Sequence, residues 1–315
     1  MTLSEKFWNF FDSITRTESF TVGNHRLILN GRATIGPNFH YLVGMLIALS
    51  FLVLTVLEVL SNRLIVQIIF LVLVKIEFLL LLSVACTEPG IVPRKSLPQS
   101  VAATTNNSTP PGSIESIVNG VKIDRKWCYT CNLYRPSRGK HCALCNCCVD
   151  KFDHHCVWMS NCIAERNYRK FFLFIFNSFF MSLFVLASIA FGSSDEIFET
   201  WKSWLVLLLS FSIALLTGNL FLYHLKLILR GSTSYETMKS NNESVNPFSL
   251  GDWRMNLNAF LSRQTDPSQM LSAANSRKRT TNNVKNEDET ITLTNTTNEF
   301  GEADEEIEGN NSSIP

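Results

Sequence analysis

Three stretches of this chain carry no Asp, Glu, Lys or Arg at all: Tyr41 to Leu57, Phe171 to Phe191 and Trp204 to Tyr223. Each is about the length that crosses roughly 30 Å of hydrocarbon as a helix. A fourth apolar run, Leu64 to Val84, is interrupted only by Lys75 and Glu77. Residues two apart do not share a helix face, so these two are expected to face other helices or to reach the interface rather than to pair with each other. The pattern predicts an α-helical integral membrane protein with four transmembrane helices, two on either side of a long polar segment.

Around the spans the chain divides by composition. A polar lead covers 1–38, spans 1 and 2 cover 39–84, and a linker covers 85–120. A cysteine-rich region covers 121–170, followed by span 3 at 171–191, a short loop at 192–203 and span 4 at 204–229. The segment 230–261 has the aromatic and turn residues of ordered chain, whereas 262–315 is Ser, Thr, Asn and Glu with few aromatics and reads as a disordered tail. Ser96 to Ser113, with prolines and no hydrophobic period, reads as flexible.

Charge adds an orientation. The net balance of +1 is close to neutral, and no nucleic-acid partner is expected. Twelve lysines and arginines from Arg94 to Lys170 lie between spans 2 and 3, while the loop 192–203 holds Asp195, Glu196 and Glu199 against Lys202. The positive-inside rule puts the cysteine-rich region and both termini in the cytosol and the acidic loop in a lumen or outside. No cleavable signal peptide is evident, and neither a myristoylation glycine nor a prenylation cysteine is present.

That orientation changes the meaning of the cysteines. Eight of the nine, with three of the six histidines, lie between Cys128 and Cys162. Cytosolic thiols stay reduced, so the cluster reads as metal-binding or catalytic rather than as a disulfide framework. The pairs Cys128/Cys131 and Cys142/Cys145 have the C-x2-C spacing that brings two thiolates to one zinc. Two zincs would use eight of the eleven groups and leave three over. The other halves of the sites come from His141, Cys147, Cys148, His154, His155, Cys156 and Cys162, and spacing alone does not pair them.

The run Asp153-His154-His155-Cys156 offers a second chemistry. An imidazole beside a thiol removes the limit set by the thiol's ordinary pKa, and a carboxylate on the far ring nitrogen orients that imidazole. The alternative is that Cys156 is one more ligand, with Asp153 supporting a zinc-bound histidine.

These residues carry a resemblance. The pattern Cys128, Cys131, Arg135, Pro136, Arg138, His141, Cys142, Cys145, Cys148, Asp153, His154, His155, Cys156, Cys162, Asn167 and Phe171 is similar, position by position, to the cysteine-rich domain of the DHHC protein S-acyltransferases. The layout is closest to the plant and Ras-acylating branch, through the short lead, the segment GNHRLILNGRATIGP and the wording around Glu88-Pro89-Gly90. Thr233-Ser234-Tyr235-Glu236 resembles the family's Thr-Thr-x-Glu, with Ser234 keeping a hydroxyl for Asp153. The segment from Asn246 to Asn256 resembles its carboxyl-terminal motif with one inserted residue, which puts the packing of Asn256 in doubt.

The resemblance implies a cytosolic zinc-binding domain between helices 2 and 3 with two structural zinc ions. One is held by Cys128, Cys131, His141 and Cys148, the other by Cys142, Cys145, His155 and Cys162. It implies that Cys156 is the nucleophile, His154 its base and Asp153 the residue that orients His154, leaving Cys147 without a role. The implied activity is protein-cysteine S-palmitoylation. A long-chain acyl group passes from palmitoyl-CoA to Cys156 and then to cytosolic cysteines of membrane-associated substrate proteins. Trp158, Phe171, Phe174 and Met181 are implied to line the acyl cavity. Arg135, Arg138 and Lys140, with Arg166 and Arg169, are candidates to meet CoA phosphates or anionic membrane lipid. An accessory subunit and residence in the endoplasmic reticulum or Golgi, or at the plasma membrane, are compatible with that branch. The competing readings are a non-catalytic membrane-anchored zinc scaffold and a membrane-embedded ubiquitin ligase, and the intact quartet weighs against both.

Overall fold

The computed structural model describes residues 20–94, 112–191, 200–239 and 246–262, with a few isolated positions outside these ranges. Among the described residues four helices are long and apolar enough to cross a membrane. They are α1 (Phe39–Val59), α2 (Leu64–Cys86), α3 (Tyr168–Ala190) and α4 (Trp201–Arg230). Helices α3 and α4 begin three residues before the uncharged runs, at Tyr168 rather than Phe171 and at Trp201 rather than Trp204. Backbone hydrogen bonding does not stop where side chains become polar, and Arg169, Lys170 and Lys202 occupy the added turns.

Helix α3 packs against both α2 and α4, and α1 lies against α4 and α2. One buried cluster joins Leu42 of α1 and Leu81 and Val84 of α2 to Phe171 and Ile175 of α3. A second joins Val56, Phe70, Val74, Met181, Val185 and Val206. The outer faces carry Phe51, Leu54, Ile65, Leu79, Leu208 and Leu216, all exposed as a lipid-facing surface requires. Gly218 lets α4 approach α3 so closely that a Cβ there would stand 2.8 Å from the ring of Phe179, which is how small residues serve helix contacts in membranes.

The interrupted span resolves into two different fates. Lys75 is exposed, whereas Glu77 is 3% exposed. The Asn177 amide of α3 donates to Glu77 Oε2 at 2.7 Å, and the Ser178 hydroxyl meets its other oxygen. A polar group in hydrocarbon needs such partners, and here they pin α2 to α3.

Short strands fill the polar regions. In the lead, β1 (Phe20–Val22), β2 (His25–Ile28) and β3 (Ala33–Ile35) form an antiparallel meander. After α2, β4 (Ile91–Val92) pairs with β9 (Cys147–Val149), which also pairs with β8 (Lys140–Cys142). A hairpin of β5 (Ser113–Val118) and β6 (Val121–Cys128) is extended by β7 (Leu133–Tyr134). This hairpin starts at Ser113, inside the stretch assigned to the linker by composition. Ile114, Ser116 and Val118 alternate with more exposed neighbours, and Asn119 and Gly120 make the turn with φ +48 and +79, the dipeptide that suits a two-residue hairpin. The remainder of the segment expected to be flexible, the acidic loop and the tail lie largely outside the described residues.

The last pair, β10 (His154–Cys156) and β11 (Asn161–Ile163), is antiparallel. Helix α4 ends at Gly231, whose φ of +67 turns the chain back toward the cysteine-rich unit. There the short helix α5 (Ser234–Lys239) and the helix α6 (Trp253–Ser262) follow. Asn256 is buried despite the inserted residue. Its amide donates to Leu229 O at 2.9 Å and its oxygen accepts from Leu250 N–H at 2.9 Å, clamping the end of α4.

Candidate active site and metal centres

Two turns of the same design build the metal clusters. Each C-x2-C pair ends in an asparagine with positive φ, Asn132 at +52 and Asn146 at +49, a conformation that asparagine tolerates better than most residues. Strand register supplies the rest of the first cluster, because His141 on β8 stands opposite Cys148 on β9. In β10 and β11, His155 stands opposite Cys162.

The ligand atoms of Cys128, Cys131, His141 and Cys148 lie within 4.8 Å of one another, and so do those of Cys142, Cys145, His155 and Cys162. The first histidine's Nδ1 is 3.5, 3.5 and 3.9 Å from its three sulfurs. The second is 3.7, 3.2 and 3.6 Å from its own. A zinc with ordinary bond lengths to sulfur and nitrogen sets tetrahedral N···S edges of about 3.6 Å, so both clusters have the donor set and the size that hold the ion. Bound there, zinc would cross-link loops that are far apart in sequence and leave Cys147, His154 and Cys156 outside its coordination.

The period of two along a strand separates these roles. In β10, His154 and Cys156 share one face and His155 points to the other. His155 thus faces the thiols while Cys156, partly buried, packs on the cluster of Met159, Ile163 and Phe171 above the membrane helices. Asp153 lies just before the strand, its side chain fully buried. The His154 Nδ1–H donates to Asp153 Oδ2 at 2.7 Å, and the Ser234 backbone N–H donates to Oδ1 at 2.8 Å. Burial opposes ionisation of Asp153, but the His154 bond and charge, helped by Ser234, hold its carboxyl below the usual range. For His154, burial favours the neutral ring, yet bonds to Asp153 and Cys156 prevail and push it up to about 9.

Ser234 meets Asp153 through its backbone, so the hydroxyl expected to do so is not what makes the contact. The approach is held by Glu236, whose carboxylate accepts from Arg138 Nε and Nη2 at 2.6 Å each and from Thr233 N–H at 2.9 Å. Glu88 plays a matching part after α2. It accepts from Gly90 N–H at 2.7 Å and from Ile91 N–H, and it pairs with Arg166 at 3.1 Å.

The acyl-lining candidates separate. Phe171 is 3% exposed and sets its ring edge-on to His154 at 5.3 Å. Phe174 packs on the same cluster as Cys156. Met181 lies deeper, beside a cavity of about 30 Å³ that Leu49, Val53 and Ser210 also line. Trp158, 58% exposed, stands apart from that cluster with Tyr41 of α1. Phe172 and Phe176, also in the aromatic start of this span, pack on Phe221 of α4. Among the phosphate candidates, Arg135 and Arg138 border a cavity of about 910 Å³ shared with Lys126, Arg230 and Lys239. Arg138 is committed to Glu236, and Lys140 lies over the Tyr235 ring at 4.1 Å.

Sequence reasoning missed His224. This buried residue of α4 accepts or donates at 3.0 Å with Tyr168 and lies 6.2 Å from the His154 ring. The uncharged run ends one residue before it, and a histidine at the end of a span is the signal that could have found it.

Fold and site together define a four-helix membrane protein whose doubly metal-braced module presents an Asp-His-Cys unit at the membrane face. Residues 121–241 match the DHHC palmitoyltransferase family model. The chain is 31% identical over 285 residues to the probable protein S-acyltransferase 3 of Arabidopsis thaliana, covering 79% of this chain and 68% of that protein. It is 29% identical over 272 residues to the probable protein S-acyltransferase 5 of the same plant, covering 76% and 57%. With the human palmitoyltransferase ZDHHC18 it shares 36% identity over 197 residues, covering 54% and 50%. This chain belongs to the DHHC palmitoyltransferase family. It spans 48% to 61% of the length of several curated relatives that it matches.

Proposed function

We propose that this protein is a protein-cysteine S-acyltransferase that moves a long-chain acyl group from acyl-CoA through Cys156 to cysteines of membrane-associated proteins. The observation that carries the reading is the buried Asp153 carboxylate, 2.7 Å from His154 Nδ1, on a ring whose neighbour on the same strand face is Cys156. A structural cluster has no need of a carboxylate, imidazole and thiol ordered in this way outside both sets of metal ligands.

His154, acting as base, takes the proton of Cys156. The Cys156 sulfur attacks the acyl carbonyl of acyl-CoA, the C–S bond to CoA breaks, and His154 gives its proton to the departing CoA thiolate. A substrate cysteine then yields its proton to neutral His154 and attacks the acyl-enzyme. Cys156 leaves as thiolate, and the pair is restored. Each step exchanges one thioester for another, so rate rests on positioning and proton transfer rather than on bond energy. The two zinc sites, Cys128/Cys131/His141/Cys148 and Cys142/Cys145/His155/Cys162, act as braces.

Phe171, Phe174 and Met181 are assigned to the acyl chain, and Arg135 and Arg169, whose buried Nε and Nη2 have no hydrogen-bond partner among the described residues, are assigned to CoA phosphates. The basic segment between α2 and α3 supports a cytosolic site with both termini on that side, in an endomembrane or plasma membrane. A partner subunit is compatible with the plant and Ras-acylating resemblance.

The test is incubation of purified protein with labelled acyl-CoA. Hydroxylamine-sensitive label that disappears in Cys156→Ala is the expected result. A wild-type protein that holds two zincs and takes no label overturns the reading in favour of a non-catalytic scaffold.

A further inference from the structure

The amino-terminal meander has no part in the transfer chemistry, yet it closes on the second metal cluster at several points. The Asn24 backbone N–H donates to Cys145 O at 2.8 Å, and its side-chain amide donates to Leu144 O at 2.9 Å. Gly23, with φ +58, lies where a Cβ would stand 2.3 Å from Cys145 O. Gly36 is pressed on the turn between β10 and β11, where a Cβ would fall 1.4 Å from Ser160 O. No other residue type fits either place without moving the metal-binding loops.

The most specific contact comes from Asn38. Its Oδ1 lies 2.9 Å from Nε2 of His155. The Nδ1 of that ring faces Cys142, Cys145 and Cys162, so Nε2 carries the hydrogen and donates it to Asn38. Asn38 is also the N-cap residue of α1. An asparagine there normally accepts from its own helix, a bond whose loss costs about 1 kcal/mol. This one makes no such bond. Its oxygen is given to a metal-binding histidine 117 residues away instead.

We infer that Asn38 is a positioning residue of the second zinc site: its amide oxygen fixes the tautomer and ring plane of His155 while the meander shields the cluster. The inference rests on the two-zinc reading of the site. It also gives α1 a direct hold on the strand that carries His154 and Cys156, because His155 lies between them.

The experiment measures zinc release from the full-length protein in detergent to a chromogenic chelator, beside total zinc by mass spectrometry. Asn38→Ser keeps a good helix cap but is too short to reach His155, whereas Asn38→Asp keeps an acceptor at the right distance. The expected result is that one of the two zincs leaves the serine variant roughly 10- to 100-fold faster than wild type. The other should leave at the wild-type rate, and the aspartate variant should retain both. Unchanged release of both zincs from Asn38→Ser overturns the inference, and so does equal acceleration in the two variants. If the serine variant is recovered only as aggregate, Asn38→Asp decides, with wild-type retention supporting the acceptor role and faster loss overturning it. Fewer than two zincs in the wild type is a separate outcome, and it sinks the two-zinc reading itself.

Discussion

Replacing Asp153 by Asn tests the link from the buried carboxylate to the thiol. The substitution keeps size and leaves an oxygen able to accept the Ser234 N–H now bonded at 2.8 Å. What changes is the side facing His154, where an acceptor 2.7 Å from Nδ1 becomes an amide that can also donate. If it donates, His154 must carry its hydrogen on Nε2, which reverses the ring's polarity toward the reacting thiol. Loss of a hydrogen bond to a charged partner costs about 1.5–3 kcal/mol. At 1.36 kcal/mol per decade this is roughly a 10- to 150-fold fall in rate. The wrong tautomer adds to it, so the estimate is a floor.

The direction of the pH effect follows from the same contact. His154 titrates near 9 rather than 6.5 because its bonds to Asp153 and Cys156 outweigh burial. The protonated ring persists as pH rises until that value is reached, and the stability it contributes is full below the ordinary value of 6.5 and lost progressively from there to about 9. Removing the carboxylate lowers the titration. The rate of Cys156 labelling by acyl-CoA, followed from pH 6 to 10, should fall near pH 9 in wild type and at lower pH in Asp153→Asn. A variant that labels at the wild-type rate with the same alkaline limb refutes the proposed role of Asp153. Intact zinc content in the variant separates this from unfolding.

Three further outcomes follow from other parts of the molecule. Stripping metal with a strong chelator should abolish labelling even though Cys156 is untouched, while His155→Ala should lose one zinc and Cys156→Ala neither, as read by metal analysis. Glu77→Ala takes the 2.7 Å acceptor from the Asn177 amide and leaves it only Leu73 O at 3.2 Å, at a cost of about 0.5–1.5 kcal/mol; a lowered melting temperature in detergent is expected, with Glu77→Gln closer to wild type. Met181→Ala opens the small cavity among α1, α3 and α4 and should shift acyl-CoA preference toward longer chains in a competition assay, whereas Met181→Phe should shift it toward shorter ones.

The spans were legible because charge is expensive in hydrocarbon, and its absence over 17 or more residues leaves few alternatives. The number of metal sites was legible from ligand arithmetic. Their pairing was not, since it depends on His141 meeting Cys148 across one sheet and His155 meeting Cys162 across another. The hairpin at Ser113–Cys128 was readable in principle from the Asn119-Gly120 turn and the alternation around it. It went unread because the composition of the preceding prolines and threonines dominated that stretch. The capping of the second site by Asn24 and Asn38 had no local signature at all. Those contacts join residues more than 100 positions apart, and no pattern within a window can report them.

One geometric fact ties the metal to the chemistry. Three consecutive residues of β10 divide between two faces, His155 toward the thiol cluster and His154 with Cys156 toward the membrane helices. A strand has only two registers of facing, and a slip by one residue exchanges them. With zinc on His155 the exchanged register is excluded, because His154 or Cys156 would have to take its place beside Cys142, Cys145 and Cys162. Asn161, opposite Cys156 and fully buried, holds the other side of the hairpin by donating to Ala85 O at 3.0 Å and Thr87 O at 2.8 Å at the end of α2. The brace and the reactive thiol are therefore not neighbours by accident of a crowded sequence. Anchoring one face of the strand fixes the height of the other above the membrane helices, which is what the proposed transfer from an acyl chain in the bilayer requires.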